Sequence, residues 1–183
     1  MKKIFGLAGS LREASFNRTI LRTAAEAVPD TYDFEEFDPG VLPLYNDDLA
    51  TEELLPDAVR KFRQKIENAD GILIASPEYN YSITGVLKNA LDWAATNKLG
   101  NVLSKKPIAI MGASKTVFGT ARGQLHLRQV LQGANGDVMR KPEVYIRQAK
   151  TLLDCEEKLA DERTISKINA FVNAFTDHIE EAG

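Results

Sequence analysis

Three short apolar runs, each closed by glycine, serine or proline and followed by a loop and a helical pattern, constrain this chain more than anything else in it. Ile4-Phe5-Gly6-Leu7-Ala8 ends in Gly9-Ser10, Gly71-Ile72-Leu73-Ile74-Ala75-Ser76 ends in Pro77, and Pro107-Ile108-Ala109-Ile110-Met111 ends in Gly112. Runs this short, without polar alternation, read as strands buried on both faces. Between them the apolar positions recur at helical spacing. Ile20, Leu21, Ala24, Ala25 and Val28 form one such stripe, stopped by Pro29-Asp30. Ala58, Val59, Phe62, Ile66 and Ala69 form a second, opened by Pro56 at the first turn. A third helix is predicted from about Thr84 to Ala94 and a fourth from about Thr120 to Gln132. The last carries Ile165, Ile168, Phe171, Val172, Phe175 and Ile179.

Tyr32, Phe34 and Phe37 suggest a second strand with partial alternation, and Val138-Met139 a brief fifth strand before Pro142. Five strands alternating with five helices imply an α/β chain with a parallel sheet covered on both faces. No repeat or linker interrupts residues 1–183, which read as a single domain. In such sheets a ligand sits beyond the carboxyl ends of the strands, where the winding direction reverses. Function is therefore expected in the loops after Ala8, Ser76 and Met111.

Composition removes several classes of function. Apolar side chains make up 44% of the 183 residues and the formal net charge is −3, so an intrinsically disordered chain is excluded. A slight acidic excess argues against a nucleic-acid partner. Cys155 is the only cysteine, which excludes a disulfide framework. No apolar run approaches the ~20 residues of a membrane span. Met1-Lys2-Lys3 before Ile4 resembles a signal peptide, but Gly9-Ser10 and Arg12-Glu13 cut the apolar stretch short, so a buried first strand and a cytoplasmic location are expected.

The loop after the first strand, Gly9 to Asn17, offers short donors in Ser10, Ser15 and Asn17 ahead of a helix N-terminus, with Arg12 as a charged fork. Helix amides and a guanidinium suit a phosphate. The same segment is also compatible with an ordinary strand-to-helix turn capped by Ser15 or Asn17. A dinucleotide fingerprint is absent, because Gly6-Leu7-Ala8-Gly9 lacks the spacing. Gly112-Ala113-Ser114-Lys115-Thr116 has serine where a nucleoside-triphosphate loop needs glycine.

The next loop, Pro77-Glu78-Tyr79-Asn80-Tyr81-Ser82-Ile83-Thr84-Gly85, is aromatic enough to flank a flat heteroaromatic ring, although its tyrosines could equally cap core edges. Gly112 to Gly119 is built from small residues that admit a ligand close to the backbone, or act only as punctuation. From Trp93 to Gly136 there is no Asp or Glu but six Lys or Arg, among them Lys98, Lys106, Lys115, Arg122 and Arg128. That stretch is either a positive field suited to an anionic cosubstrate such as NADPH or a solvated face.

Gly9-Ser10-Leu11-Arg12 with Ser15 and Asn17, Pro77-Glu78-Tyr79-Asn80, the run from Ser82 to Trp93 and the run from Gly119 to Gln129 resemble the NADPH-dependent FMN reductase family. The nearest branch is similar to quinone and chromate reductases. The resemblance implies a flavodoxin-like three-layer sandwich with a five-stranded parallel sheet in the order 2-1-3-4-5 and helices on both faces. It implies non-covalent FMN, with NADPH or NADH as cosubstrate and a small-molecule acceptor such as a quinone. Carried over by motif, Ser10, Leu11, Arg12, Ser15, Phe16 and Asn17 would hold the FMN phosphate. Pro77, Glu78, Tyr79 and Asn80 would line the isoalloxazine, with Ser114 beside it. Glu13 is expected to face solvent. A homodimer or homotetramer is implied, with Trp93 either at its interface or in the core, and the helix holding Arg122 and Arg128 nearby.

The activity so implied is ping-pong hydride transfer from NAD(P)H to a quinone, or to chromate, an azo compound or free flavin, without a protein acid or base. The alternative is a flavodoxin-type electron carrier that binds FMN but has no substrate of its own. His126 and His178 lack metal-ligand spacing and read as ordinary helix residues.

Overall fold

The computed structural model describes residues 1–183. Four parallel strands, β1 (Lys2–Ala8), β2 (Tyr32–Phe37), β3 (Gly71–Ala75) and β4 (Pro107–Ala113), are ordered 2-1-3-4. The fifth position is shared. β5 (Asp137–Val138) pairs with the start of β4 and β6 (Val144–Ile146) with its end, both parallel. The order 2-1-3-4-5 expected from the resemblance is the order observed, with a sixth strand continuing the fifth. The chain leaves β4 after Met139, whose N–H donates to Ile108 O at 2.8 Å, and returns at Val144 opposite Met111.

The helices are α1 (Phe16–Glu26), α2 (Asp57–Glu67), α3 (Gly85–Ala95), α4 (Ala121–Gly133) and α5 (Glu162–Ala182). The pleat of the strands sorts the core into two layers. Phe5, Leu7, Ile72, Ile74, Ile108 and Ile110 face α2, α3 and α4. Ile4, Ala8, Leu73, Ala75, Ala109 and Met111 face α1 and α5. Residues one apart on the same strand thus belong to opposite cores, which is why these runs show no polar alternation. Gly6 makes room for the Phe34 ring, with which any Cβ there would collide.

Trp93 is fully buried in the layer of α2, α3 and α4, with its indole N–H donating to Pro43 O at 2.8 Å and its ring edge-on to Tyr45. It is core, and the interface alternative does not hold for it. No helix is long and apolar enough to cross a membrane.

Candidate functional site

The winding reverses between β1 and β3, and the loops leaving β1, β3 and β4 converge beyond their carboxyl ends on one cavity of about 390 Å3. That volume lies within the range of small-molecule sites, roughly 300–1,000 Å3.

The β1 loop is pinned before it reaches the cavity. Gly9 N–H extends the ladder to Ala75 O at 2.9 Å, and Gly9 O accepts from the Thr84 hydroxyl at 2.7 Å. Thr84 also caps α3 by accepting from Leu87 N–H, so one hydroxyl joins the first loop to the second. Ser10 and Ser15 are buried, whereas Arg12 is exposed and curls over the loop, donating to Ala14 O at 2.8 Å. Ser15 occupies the N-cap of α1 with no side-chain cap bond. The first backbone bond of the helix runs from Thr19 N–H to Ser15 O, which leaves the three preceding amides without an intrahelical acceptor. Asn17 is not the cap either. Its carboxamide bonds the backbone of Ala113 in both directions.

The β3 loop is a two-residue hairpin. Tyr79 and Ser82 exchange backbone bonds of 2.9 and 3.0 Å, and Asn80 and Tyr81 between them both have positive φ, 49° and 69°. Left-handed geometry at both central positions is a type I′ turn, which sets the strand twist but strains a tyrosine. Tyr79 and Tyr81 are 49% and 65% exposed, so they do not cap the core.

Behind the hairpin the Glu78 side chain, 8% exposed, turns to α4. One oxygen meets Arg122 Nε at 2.7 Å, and the other accepts from the backbone N–H of Arg122 at 3.1 Å and of Gly123 at 3.0 Å. Thr120, the N-cap of α4, is left-handed and makes no cap bond, so a residue 42 positions earlier caps the helix in its place. The Arg122 guanidinium lies 3.9 Å from the Tyr81 ring centroid and 4.4 Å from that of Phe118.

The β4 loop is held along its length. Ser114 N–H donates to Ile146 O at 3.0 Å, Ala149 N–H to Ser114 O at 2.9 Å and Gln148 N–H to Thr116 O at 3.0 Å. Ser114 Oγ lies 3.0 Å from Thr116 Oγ1. This hydrogen bonding is more than flexible punctuation would need.

Ser10, Arg12, Ser15, Phe16, Asn17, Pro77, Glu78, Tyr79, Asn80 and Ser114 all line the cavity. Leu11 does not. Its side chain is half exposed and lies over Gly40. Lining residues not singled out as cofactor contacts are Tyr81, Ala113, Lys115, Thr116, Thr120 and Arg122. The acid-free stretch does not gather into one positive field. Lys98 pairs with Asp47, Lys106 donates to Glu67 O and Ala69 O, and Arg128 donates to Met139 O. Of its basic residues only Lys115 and Arg122 reach the cavity. His126 Nδ1 meets Ser82 Oγ at 3.1 Å and His178 lies beside Asp137. Glu13 is exposed.

Buried serine hydroxyls, unpaired helix amides and an arginine, lining the same cavity as a rigid two-tyrosine turn, suit a planar ring on a phosphate tail. Residues 2–151 match the family model described as NADPH-dependent FMN reductase. The chain is 45% identical to an NAD(P)H-dependent FMN reductase of Pseudomonas aeruginosa over 161 residues, covering 88% of this chain and 86% of that protein. It is 38% identical to a 2-hydroxy-1,4-benzoquinone reductase of a Burkholderia species, covering 98% and 97%. A solved flavoenzyme, the NAD(P)H:(acceptor) oxidoreductase FerB of Paracoccus denitrificans, superposes with a TM-score of 0.90 at 34% identity over the whole of both chains.

Proposed function

Because the chain belongs to the NADPH-dependent FMN reductase family, we propose that it is an FMN-dependent NAD(P)H oxidoreductase that reduces quinones by two electrons. The observation that carries the reading is the cavity itself, lined both by a helix N-terminus lacking any side-chain cap and by the Tyr79–Ser82 turn. Bound FMN would supply the redox chemistry, accepting a hydride from NAD(P)H and passing it on to the quinone, which with one solvent proton leaves as hydroquinone.

The chain's own residues bind, orient and exclude. The amides at the start of α1, the hydroxyls of Ser10 and Ser15 and the Arg12 guanidinium hold the phosphate, and Leu11 contributes backbone rather than side chain. Phe16, Pro77, Tyr79 and Asn80 line the ring, with Ser114 across from them. Asn17 and Glu78 keep the three loops in register, through Ala113 and through Arg122. No side chain is assigned a proton-transfer role. Residues 1–183 act as one unit, in the cytoplasm, as a homodimer or homotetramer, and light scattering of the FMN-loaded protein reads the last of these.

The test is steady-state turnover of the FMN-loaded protein with NADPH or NADH and a neutral quinone. Quinone-dependent NAD(P)H consumption, with parallel initial-rate lines across quinone concentrations, is expected. Tight FMN binding without turnover would instead leave a flavodoxin-type carrier. No feature of the site favours the carrier, and the relatives described above are named as reductases or oxidoreductases.

A further inference from the structure

We infer that Glu78 masks the charge of Arg122 at the mouth of the cavity and thereby sets the charge of the acceptors the site takes, an inference that rests on the reductase reading above. Arg122 lines the cavity and its side chain is one-third exposed, whereas the Glu78 side chain paired with it is only 8% exposed. Two contacts of 2.7 and 2.6 Å join Glu78 Oε1 to Arg122 Nε and its terminal nitrogen. The carboxylate cannot rotate away, because Oε2 is committed to the backbone amides of Arg122 and Gly123. Gly123 permits that approach, since a Cβ there would stand 3.2 Å from Glu78 Cβ and from Ser82 O. The guanidinium is further fixed between the faces of Tyr81 and Phe118. Stacking of this kind holds an arginine in place without neutralising it.

Glu78 is therefore the sole negative charge on a lining that also carries Arg12, Lys115 and Arg122, and the lining has a net charge of +2. A phosphate of charge about −2 in the same cavity brings the sum to about zero. Losing the Glu78 charge leaves the stacked guanidinium unpaired in a concave, partly dry site, where one charge alters the local concentration of an ionic substrate. Glu78 is on this account a specificity-determining residue acting through Arg122.

The experiment measures kcat/KM at saturating NADPH for neutral menadione and for anionic 1,2-naphthoquinone-4-sulfonate. In Glu78→Gln the sulfonate-to-menadione ratio is expected to rise roughly three- to tenfold at low salt. It should fall back in about 1 M NaCl, where the Debye length is about 3 Å. Adding Arg122→Met to that variant should return the ratio to the wild-type value. A purely structural Glu78 would lower both constants together with the ratio unchanged, and that result overturns the inference, as does a rise that survives the second substitution. If Glu78→Gln does not fold, Arg122→Met alone decides. Removing the guanidinium leaves the Glu78 carboxylate unpaired on the lining, so the ratio should fall roughly three- to tenfold at low salt and recover in about 1 M NaCl, and an unchanged ratio overturns the inference. Fluorescence titration of the FMN-loaded variants with naphthalene-2-sulfonate and its neutral sulfonamide reads the same mask without turnover. Wild-type protein that fails to reduce menadione would sink the reductase reading while leaving this titration informative.

Discussion

The side-chain amide of Asn17 and the backbone of Ala113 form a closed pair of hydrogen bonds, Nδ2 to Ala113 O and Ala113 N–H to Oδ1, each 2.9 Å long and buried. The pair imitates one rung of a sheet at the point where β4 has run out of strand neighbours on that side. It also fixes the distance between the phosphate-loop helix and the Ser114 loop. Asn17→Ala leaves a buried N–H and C=O unpaired, at about 1–3 kcal/mol each. Urea unfolding of the FMN-free protein should show a loss of about 2–4 kcal/mol, and FMN should bind more weakly. Asn17→Asp keeps the acceptor but opposes Ala113 O with a carboxylate, and should be no better than alanine. Unchanged FMN affinity in both would show that the two loops do not need this clamp.

Arg12 is the exposed guanidinium above the uncapped start of α1, held there by one bond to Ala14 O. Arg12→Ala should weaken FMN binding about tenfold or more, the loss of one charge-assisted contact to a dianion. Riboflavin, which lacks the phosphate, should bind both proteins alike. Equal weakening of FMN and riboflavin by fluorescence titration would place Arg12 at the ring and not at the phosphate.

Gly112 on β4 lies against Ser76 at the start of the β3 loop and Thr120 at the start of α4. A Cβ at this position would collide with Thr120 Oγ1 and stand 2.5 Å from Ser76 O. Neither neighbour can yield. Thr120 is 1% exposed and already left-handed at φ 70°, and Ser76 is fully buried with its N–H bonded to Met111 O. Gly112→Ala should cost about 1–3 kcal/mol by overpacking, read as a lower melting temperature, and should release FMN. A melting temperature equal to wild type would mean that the backbone there shifts freely.

Which parts of this site are legible in the chain depends on whether the responsible contacts are local. The runs around Ile72 and Ile108 are unmistakable because a doubly covered strand needs apolar residues on both faces, and the Gly and Pro that end them mark the binding edge. The continuation of the fifth strand is not, because Val144-Tyr145-Ile146 is three residues long and draws its strand geometry from β4 rather than from its own pattern. Glu78 reads in sequence as a residue facing the ligand, because it stands beside Tyr79 and Asn80. It does line the cavity, but its carboxylate is bound by Arg122, 44 residues on, and only the packing of α4 against the hairpin shows this. The turn itself carries no Gly signal. Asn80 is a familiar left-handed residue, but Tyr81 is held there by Arg122 and by the Tyr79–Ser82 bonds.

Arg63 on α2 is buried without a carboxylate partner. Its guanidinium donates to four carbonyls, those of Trp93 and Ala94 at 2.7 and 3.1 Å and of Leu99 and Gly100 at 3.0 and 2.5 Å. Burial lowers its pKa from the ordinary arginine value, yet the C-terminal end of α3 is where a helix dipole favours a cation. Arg63→Met fills much of the same volume but strands those carbonyls, and should lower stability by about 2–4 kcal/mol in urea. Arg63→Lys reaches fewer of them and should recover only part. FMN affinity should stay with wild type in any fraction that remains folded, because these residues lie off the cavity lining. A Met variant as stable as wild type would show that the four bonds are replaced by water.

The start of β2 is tied to the last turns of α5 by Tyr32, whose hydroxyl donates to Glu180 Oε1 at 2.6 Å, while Lys2 donates to Glu180 Oε2 at 2.6 Å. Lys2 first, and Tyr32 after it, hold the Glu180 carboxyl below its ordinary value of 4.5. Burial first, and Glu180 after it, push the Tyr32 hydroxyl well above its ordinary 10.0. A carboxyl depressed by folding contributes stability above its unfolded value and loses it as pH falls through the folded one. A phenol raised by folding contributes below its unfolded value and loses that contribution as pH climbs past 10 toward the folded one. Melting temperature should therefore be level between these two ordinary values and fall on either side. Tyr32→Phe should be less stable on the plateau and have a shallower alkaline decline, because the folded chain no longer holds a proton that the unfolded chain releases. Glu180→Gln should make the acid decline shallower without abolishing it, since Asp47, Glu143 and Asp161 are also held low by their partners. An alkaline limb equally steep in wild type and Tyr32→Phe would show that Tyr32 ionises as readily in the folded chain as in the unfolded one.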